Sequence, residues 1–413
     1  MKAKRIISFI LSAILIFSIT SITSFASGGH SGFTTMKKLS KQEIVQLTKD
    51  PYVQNPEDIY SSAPSLTVPY YEGVIKDGIT KAGLDRLNAY RRLAGLKNVT
   101  ISNEYTDYAQ TGALILAANK EFSHYPSKPS GMSQEMYETG YKGPNNGNIA
   151  FYYGYNPVSG PLALSVDMWM NDSDIYNIDA LGHRRWILNP AMQKTGFGVV
   201  ADNTMSVYSV LYAFDRSATA DDYDFISWPP SGYMVNDTEF FTTDHAWNIT
   251  LNPYKYDTYD LSAITVEMKS ENGTHRFSFS GADGFFNIDK MGYGIPNSII
   301  FRPQNIQNYN GEYTITVKGL RTISGTATTL SYTVDFFSSD EAEESVNATG
   351  RTGDINNDGK ISASDARLVL RAAAKLENFN SSQTDIADVN GDNKITASDA
   401  RKILRVAAKI DSF

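Results

Sequence analysis

The stretch DINNDGKISASDAR at residues 354–367 is written again, 34 positions on, as DVNGDNKITASDAR at residues 388–401. A twelve-residue loop closes around Ca2+ with side-chain oxygens at positions 1, 3 and 5, a backbone carbonyl at 7 and a carboxylate at 12. The first copy supplies Asp354, Asn356, Asp358, the carbonyl of Lys360 and Asp365; the second supplies Asp388, Asn390, Asp392, the carbonyl of Lys394 and Asp399. Gly359 stands at position 6, where the chain must turn sharply. Asn393, the next residue most tolerant of positive φ, replaces it in the second copy. Two calcium ions are therefore expected, with Ile361 and Ile395 pairing the loops or plugging a core.

Each loop runs into a short helical pattern. Ala366, Val369, Leu370 and Ala373, copied as Ala400, Ile403, Leu404 and Ala407, predict one buried face. Arg367, Arg371 and Lys375, copied as Arg401, Arg405 and Lys409, form a basic stripe at four-residue spacing. An ordinary solvated face is the alternative; duplication of the stripe in an acidic chain favours a partner surface. Together these features resemble a type I dockerin over Gly353 to about Ser412, the module that binds a cohesin on the scaffoldin of a cellulosome. Position 12 is Asp rather than the usual Glu of an EF-hand, and no helix is expected before the first loop. The resemblance implies cohesin recognition by Ala363, Ser364, Arg367, Leu370 and Arg371, and equally by Ala397, Ser398, Arg401, Leu404 and Arg405. The near-identity of the copies predicts two binding orientations.

The other end fits an exported protein. Lys2, Lys4 and Arg5 precede the apolar run Ile6 to Ile19, and Ser24-Phe25-Ala26 offers small residues for cleavage, which predicts a signal peptide over 1–26 and no membrane anchor after its removal. Net charge is −8, and −11 without the three leader cations, which argues against nucleic acid as a partner. The absence of cysteine excludes disulfides and thiol catalysis. The expected order is an N-terminal extension at 27–78, a central module at 79–215, an all-β module at 216–337, an acidic linker at 338–352 and the calcium module at 353–413.

In the central module, Leu84, Leu87, Ala89, Tyr90 and Leu93, with Arg86, Arg91 and Arg92 between them, predict an amphipathic helix ending at Gly95, and a second helical pattern runs from Glu104 to Asn119. Phe122-Ser123-His124, Asn148-Ile149-Ala150, Trp169-Met170 and Gly182-His183-Arg184-Arg185-Trp186 follow in order. That succession resembles the CAP superfamily of SCP-like extracellular proteins, in its bacterial branch, over roughly Ile79 to Asp215. The resemblance implies an α-β-α sandwich whose cavity holds two His and two acids, with Zn2+ in some members. His124, Asp172 and His183 match three of these. Gly147 stands where the fourth, a Glu, belongs; Glu135 and Glu138 lie nearby in sequence. Arg184 and Arg185 read as structural ion pairs and Trp186 as core. The aromatic run Tyr137, Tyr141, Phe151, Tyr152 and Tyr153 reads as packing rather than a sugar-stacking belt.

Beyond Ser227 short alternating strands take over, as in Ile264–Met268, Tyr313–Val317 and Thr329–Phe337, where Leu330, Tyr332, Val334 and Phe336 share a face. An immunoglobulin-like sandwich is the expected fold. The whole reads as a multidomain secreted, cellulosome-associated protein whose central module binds an extracellular ligand such as a cell-wall glycan, lipid or protein. The alternative is a hydrolase, a peptidase or a polysaccharide-degrading enzyme, using His124, Asp172 and His183. The missing Glu favours binding, whereas the dockerin's usual company favours polysaccharide catabolism.

Overall fold

A computed structural model describes residues 39–154, 158–202, 204–218, 223–342, 351–356, 358–379 and 381–413. The expected signal peptide lies outside them, as do His30 and most of the acidic linker. Two compact units are formed. One is built mainly from Leu47–Met234 and Thr238–Phe336, the other from Ser40–Gln46, Val235–Asp237 and Phe337–Phe413. No described helix is long and apolar enough to cross a membrane.

The first unit begins with a small β1 (Tyr60–Ser62) and β2 (Val74–Ile75) pair, after α1 (Lys41–Thr48). Four helices follow: α2 (Asp77–Leu93), α3 (Asn103–Asn119), α4 (Gln134–Asn145) and α5 (Gly160–Asn171). Ser102 starts α3 by accepting the Tyr105 N–H. Short strands β3 (Thr100–Ile101) and β5 (Lys194–Thr195) pair in parallel. Between them in sequence lie β4 (Gly147–Tyr153) and the one-turn helix α6 (Gly182–Ile187). With β6 (Phe197–Ala201) and β7 (Ser206–Tyr212), β4 forms an antiparallel sheet in the order β4-β7-β6.

Alternation along those strands makes the three layers. Ile149, Val200, Tyr208 and Val210 point into a core with Ala113, Leu114 and Leu116 of α3. On the opposite face, the Phe197 ring lies beside Gly83 of α2, and Ser209 hydrogen-bonds Ser165 of α5 at 2.7 Å. The central arginines depart from the expected amphipathic pattern. Arg86 and Arg91 are buried, and only Arg92 faces solvent. Arg91 donates Nε to Lys97 O (2.9 Å), Nη1 to Ile187 O (2.6 Å) and Asn189 O (2.9 Å), and Nη2 to Met192 O (3.0 Å). One guanidinium thus fixes the turn that follows α6.

Two further sheets complete the unit. The strands β8 (Phe225–Trp228), β10 (Trp247–Leu251), β14 (Gly284–Asp289) and β15 (Ser298–Pro303) order as β14-β15-β10-β8. The other sheet is built from β9 (Gly232–Val235), β11 (Thr265–Ser270), β12 (Gly273–Ser278), β13 (Gly281–Ala282), β16 (Gly311–Arg321) and β17 (Ala327–Phe337), in the order β13-β12-β11-β16-β17-β9. Rings meet between the sheets, Phe277 with Phe301 at 5.0 Å and Phe225 with Tyr332 at 5.3 Å. Leu330, Tyr332, Val334 and Phe336 are all buried, as their alternation predicts. Trp228 is fully buried, with its ring 5.3 Å from that of Tyr90 in α2.

In the second unit the two calcium-loop patterns flank a core of Ile355, Ala366, Val369, Ile386, Val389, Ala400 and Ile403, with Ile361 and Ile395 packed against it. Helices α7 (Ala363–Ala373) and α9 (Ala397–Ala407) follow the loops, and α8 (Ser381–Ala387) precedes the second. The predicted helix face is narrower than expected: Leu370 and Leu404 are 44% and 43% exposed, because Val369 and Ile403 already fill the small core. The linker expected to begin at Ser338 is ordered at its start. Residues 339–342 are helical, Ala342 is buried, and Ser339 bonds Asp237 through its N–H (2.8 Å) and hydroxyl (2.9 Å).

Candidate functional site

Asp172 ends α5 in a left-handed conformation, φ +47°, which turns its carboxylate back onto the start of α6. Its Oδ2 accepts the N–H groups of His183 (2.9 Å) and Arg184 (3.3 Å), satisfying two donors that a helix start leaves free. Its Oδ1 lies 2.7 Å from His183 Nδ1. The His124 Nδ1 is 2.6 Å from the Pro144 carbonyl oxygen. A ring nitrogen facing a carbonyl donates, so His124 carries its proton on Nδ1 and presents Nε2. The same holds for neutral His183 beside Asp172. The two rings lie 6.4 Å apart at 22°, nearly parallel. Asn148 Nδ2 donates to His183 O at 3.0 Å, tying the site to the sheet.

The residues singled out by sequence therefore meet, with a changed role for one. Both oxygens of Asp172 are spent, one on the His183 ring and one on the α6 backbone, so Asp172 orients His183 instead of adding a free donor. The ring nitrogens left over are two, fewer than the three protein ligands of an open zinc site. Among the described residues no three His, Cys, Asp or Glu side chains converge to hold a metal. The zinc that the resemblance allows does not fit this donor set.

At Gly147, where the fourth group would stand, no side chain fits. A Cβ there would run into the Leu211 carbonyl oxygen and lie 2.6 Å from that of Gly143. Glu135 and Glu138, the sequence substitutes, are exposed on α4, where Glu138 accepts from Gln134.

The electrostatics of the rings diverge. His124 is held below the usual imidazole value, chiefly by desolvation, with His183 adding to it and the Pro144 bond opposing. Desolvation also pulls His183 down, but the charge of Asp172, its hydrogen bond and the charge of Asp174 outweigh it and raise the ring above its ordinary value. One ring is thus biased to accept a hydrogen bond and the other to donate one. Phe122 and Tyr125, which bracket His124 in sequence, are 55% and 72% exposed. Tyr152, by contrast, bonds Pro161 O (2.6 Å) and Ser165 (3.0 Å), and Tyr137 bonds Pro126 O (3.0 Å), so most of the aromatic run is packing.

Arg184 and Arg185 bind the site to the β-sheets. Arg184 donates to Met170 O and Asn171 O (both 2.6 Å), and across to Ala246 O (2.6 Å) and Asn248 Oδ1 (3.0 Å). Burial lowers its pKa to about 10. Arg185 ion-pairs with Asp289 and donates to Met291 O and Ile295 O, both at 2.6 Å. The expected ion pair is present for Arg185; for Arg184 the partners are mostly carbonyls. Sequence reading quoted Asn148 within a motif without giving it a role, and missed Pro144 and Asp174, which no residue pattern marks.

In the second unit the loop carboxylates point inward. Asp354 accepts from Asp358 N (3.1 Å) and Gly359 N (2.8 Å), and Asp388 from Asp392 N (3.1 Å) and Asn393 N (2.6 Å). The position-6 residues Gly359 and Asn393 have φ of +80° and +59°, as the turn requires. Position 12 also closes a capping box in each copy, Ser362 with Asp365 and Thr396 with Asp399. The copies differ at one oxygen. Asp365 Oδ1 accepts from Ile355 N (2.9 Å) and Asn356 N (3.2 Å), whereas Asp399 Oδ1 is buried without a partner. A buried, unpaired carboxylate oxygen in an all-oxygen loop fits a hard cation. Arg371 pairs with Glu377 (2.7 Å) and Arg405 with Asp411 (3.1 Å), the same pair in each copy.

Comparison with known proteins agrees with this division. Residues 84–212 match the cysteine-rich secretory protein family, and residues 352–405 match the dockerin type I domain. No curated protein matches the chain. Among solved structures, an outer surface protein from Borrelia burgdorferi is similar at 17% identity over 34% of this chain and 94% of its own, with a TM-score of 0.24. The chain carries a CAP domain and, near its C-terminus, a type I dockerin domain.

Proposed function

We propose that this is a secreted component anchored to a scaffoldin cohesin through its dockerin domain, and that its CAP domain binds an extracellular ligand between His124 and His183. The observation that carries the anchoring is the duplication itself: two loops with the same donor positions, the same capping box and the same arginine in the last turn of each helix. Calcium held by Asp354, Asn356, Asp358, Lys360 O and Asp365, and by the equivalent Asp388 set, would stiffen both loops and position the helices. Cohesin contact is assigned to Ala363, Ser364, Leu370 and Arg371 or to their copies. The exposure of Leu370 and Leu404 supports this.

For the CAP site, a donor and an acceptor imidazole beside exposed aromatics favour a polar ligand with an apolar face. A hydrolytic site would call for a second carboxylate, and Gly147 leaves no room for one. The β-sheet pair, expected as an immunoglobulin-like sandwich, serves as a brace for α6. Surface plasmon resonance of the full chain against an immobilised type I cohesin tests the anchoring. Binding should be lost in chelator and restored by calcium; binding unaffected by chelator rules the reading out.

A further inference from the structure

A cavity of about 480 Å³ opens between α2, α5 and the segment that precedes β10, and none of His124, Asp172 and His183 lines it. Its walls carry an unusual balance of charge. Arg86, only 4% exposed, is ion-paired to Asp50, sits 3.4 Å from Asp167 Oδ1 and lies over the Phe240 ring at 4.6 Å. Its Nε makes no hydrogen bond although it is buried. Asp167 accepts the Tyr90 hydroxyl at 2.8 Å. Glu239, on the same wall, forms no ion pair with any described residue and is exposed toward the opening.

Three carboxylates therefore face one guanidinium. The remaining groups do not restore the balance. His245 is kept neutral, its pKa lowered to about 3 by burial and by the charge of Arg184, while Arg184 itself spends its donors on carbonyls. Burial first, then Asp50 and Glu239, raise Asp167 to about 6 against the opposing pull of Arg86 and Tyr90. Such a site lacks a positive charge. A metal ion suits it poorly, since the guanidinium stands among the carboxylates and no three metal-ligating side chains converge among the described residues. An organic cation suits it better: the surplus carboxylates would hold its charge, and Leu164 and Met168 offer apolar wall for an alkyl stem.

We propose that this cavity is a second binding site, separate from the histidine pair, that takes a small ligand bearing an ammonium group held by Glu239 and Asp167.

Two matched probes test it by calorimetry on the full chain at pH 7: N-acetyl-lysine amide, and N-acetyl-norleucine amide, which has the same stem without the ammonium. The lysine probe should bind saturably and the norleucine probe at least tenfold more weakly. Glu239→Gln, an exposed change that leaves the fold intact, and Asp167→Asn, which retains an acceptor for Tyr90, should each weaken the lysine probe at least tenfold. Equal binding of the two probes, no saturable binding of the lysine probe, or an unchanged affinity in Glu239→Gln overturns the proposal.

Discussion

His183 Nδ1 lies 2.7 Å from Asp172 Oδ1, and the same carboxylate caps the helix that carries the ring. The side chain and backbone of His183 are thus fixed by one group. Asp172→Asn removes the charge that, with its hydrogen bond and Asp174, outweighs desolvation, so the His183 pKa should fall below that of the parent protein. The sign for stability follows: the pairing contributes fully below the ordinary imidazole pKa and is lost as pH rises through the raised value of His183. Imidazole resonances followed by NMR titration check this, and an unmoved His183 midpoint in the variant would contradict it.

His245 should work in the opposite sense. Its folded value of about 3 lies far below that of an unfolded imidazole, so its stabilising neutrality is present at neutral pH and is lost as pH falls from about 6.5 toward 3. The slope is about 1.4 kcal/mol per pH unit at most. Asp167 tilts the other way over part of this range, so the quantity to measure is the difference between parent and His245→Leu in urea unfolding at several pH values. A pH-independent difference would exclude a neutral buried imidazole.

Arg184→Met should destabilise the first unit by about 3–5 kcal/mol, since it leaves the carbonyls of Met170, Asn171 and Ala246 without their donor. A chain cut after Asp215 removes Ala246 and Asp289 and strands two buried guanidinium groups. It should be insoluble, although it retains every residue of the matched CAP region. A folded, monodisperse product from that truncation would refute the brace.

Calcium removal should unfold the second unit's loops and helices, with folding recovered on titration of calcium followed by circular dichroism. Asp399→Asn should weaken the second loop's affinity by about tenfold or more, because it blunts the one buried oxygen that has no protein partner. If the variant titrates like the parent, Asp399 is not a ligand.

Legibility of the sequence follows the range of the interactions. The calcium loops, the capping boxes and the alternation of β17 use partners at fixed short offsets, and each is visible as a pattern of residue types. The positions of His124, Asp172 and His183 come through motif order. The arginines do not. Arg91 looks like the polar face of an amphipathic helix and Arg184 and Arg185 like members of ion pairs, because their acceptors are mostly backbone carbonyls, which every residue has, some of them 96 to 110 residues away. The exposure of Leu370 and Leu404 is equally hidden, since periodicity marks an apolar stripe without saying how wide a core awaits it.

Gly147→Ala is expected to cost about 3 kcal/mol in urea unfolding, from collision with the Leu211 and Gly143 carbonyls. The consequence reaches past stability. Where a glycine merely fills the place of a lost acid, one codon change can bring the acid back. Here the Gly143 carbonyl in α4 and the Leu211 carbonyl in β7 stand at a distance that only hydrogen tolerates. Placing a carboxylate at this position would require moving a helix and a strand first, so substitution of Gly147 alone cannot supply the fourth group.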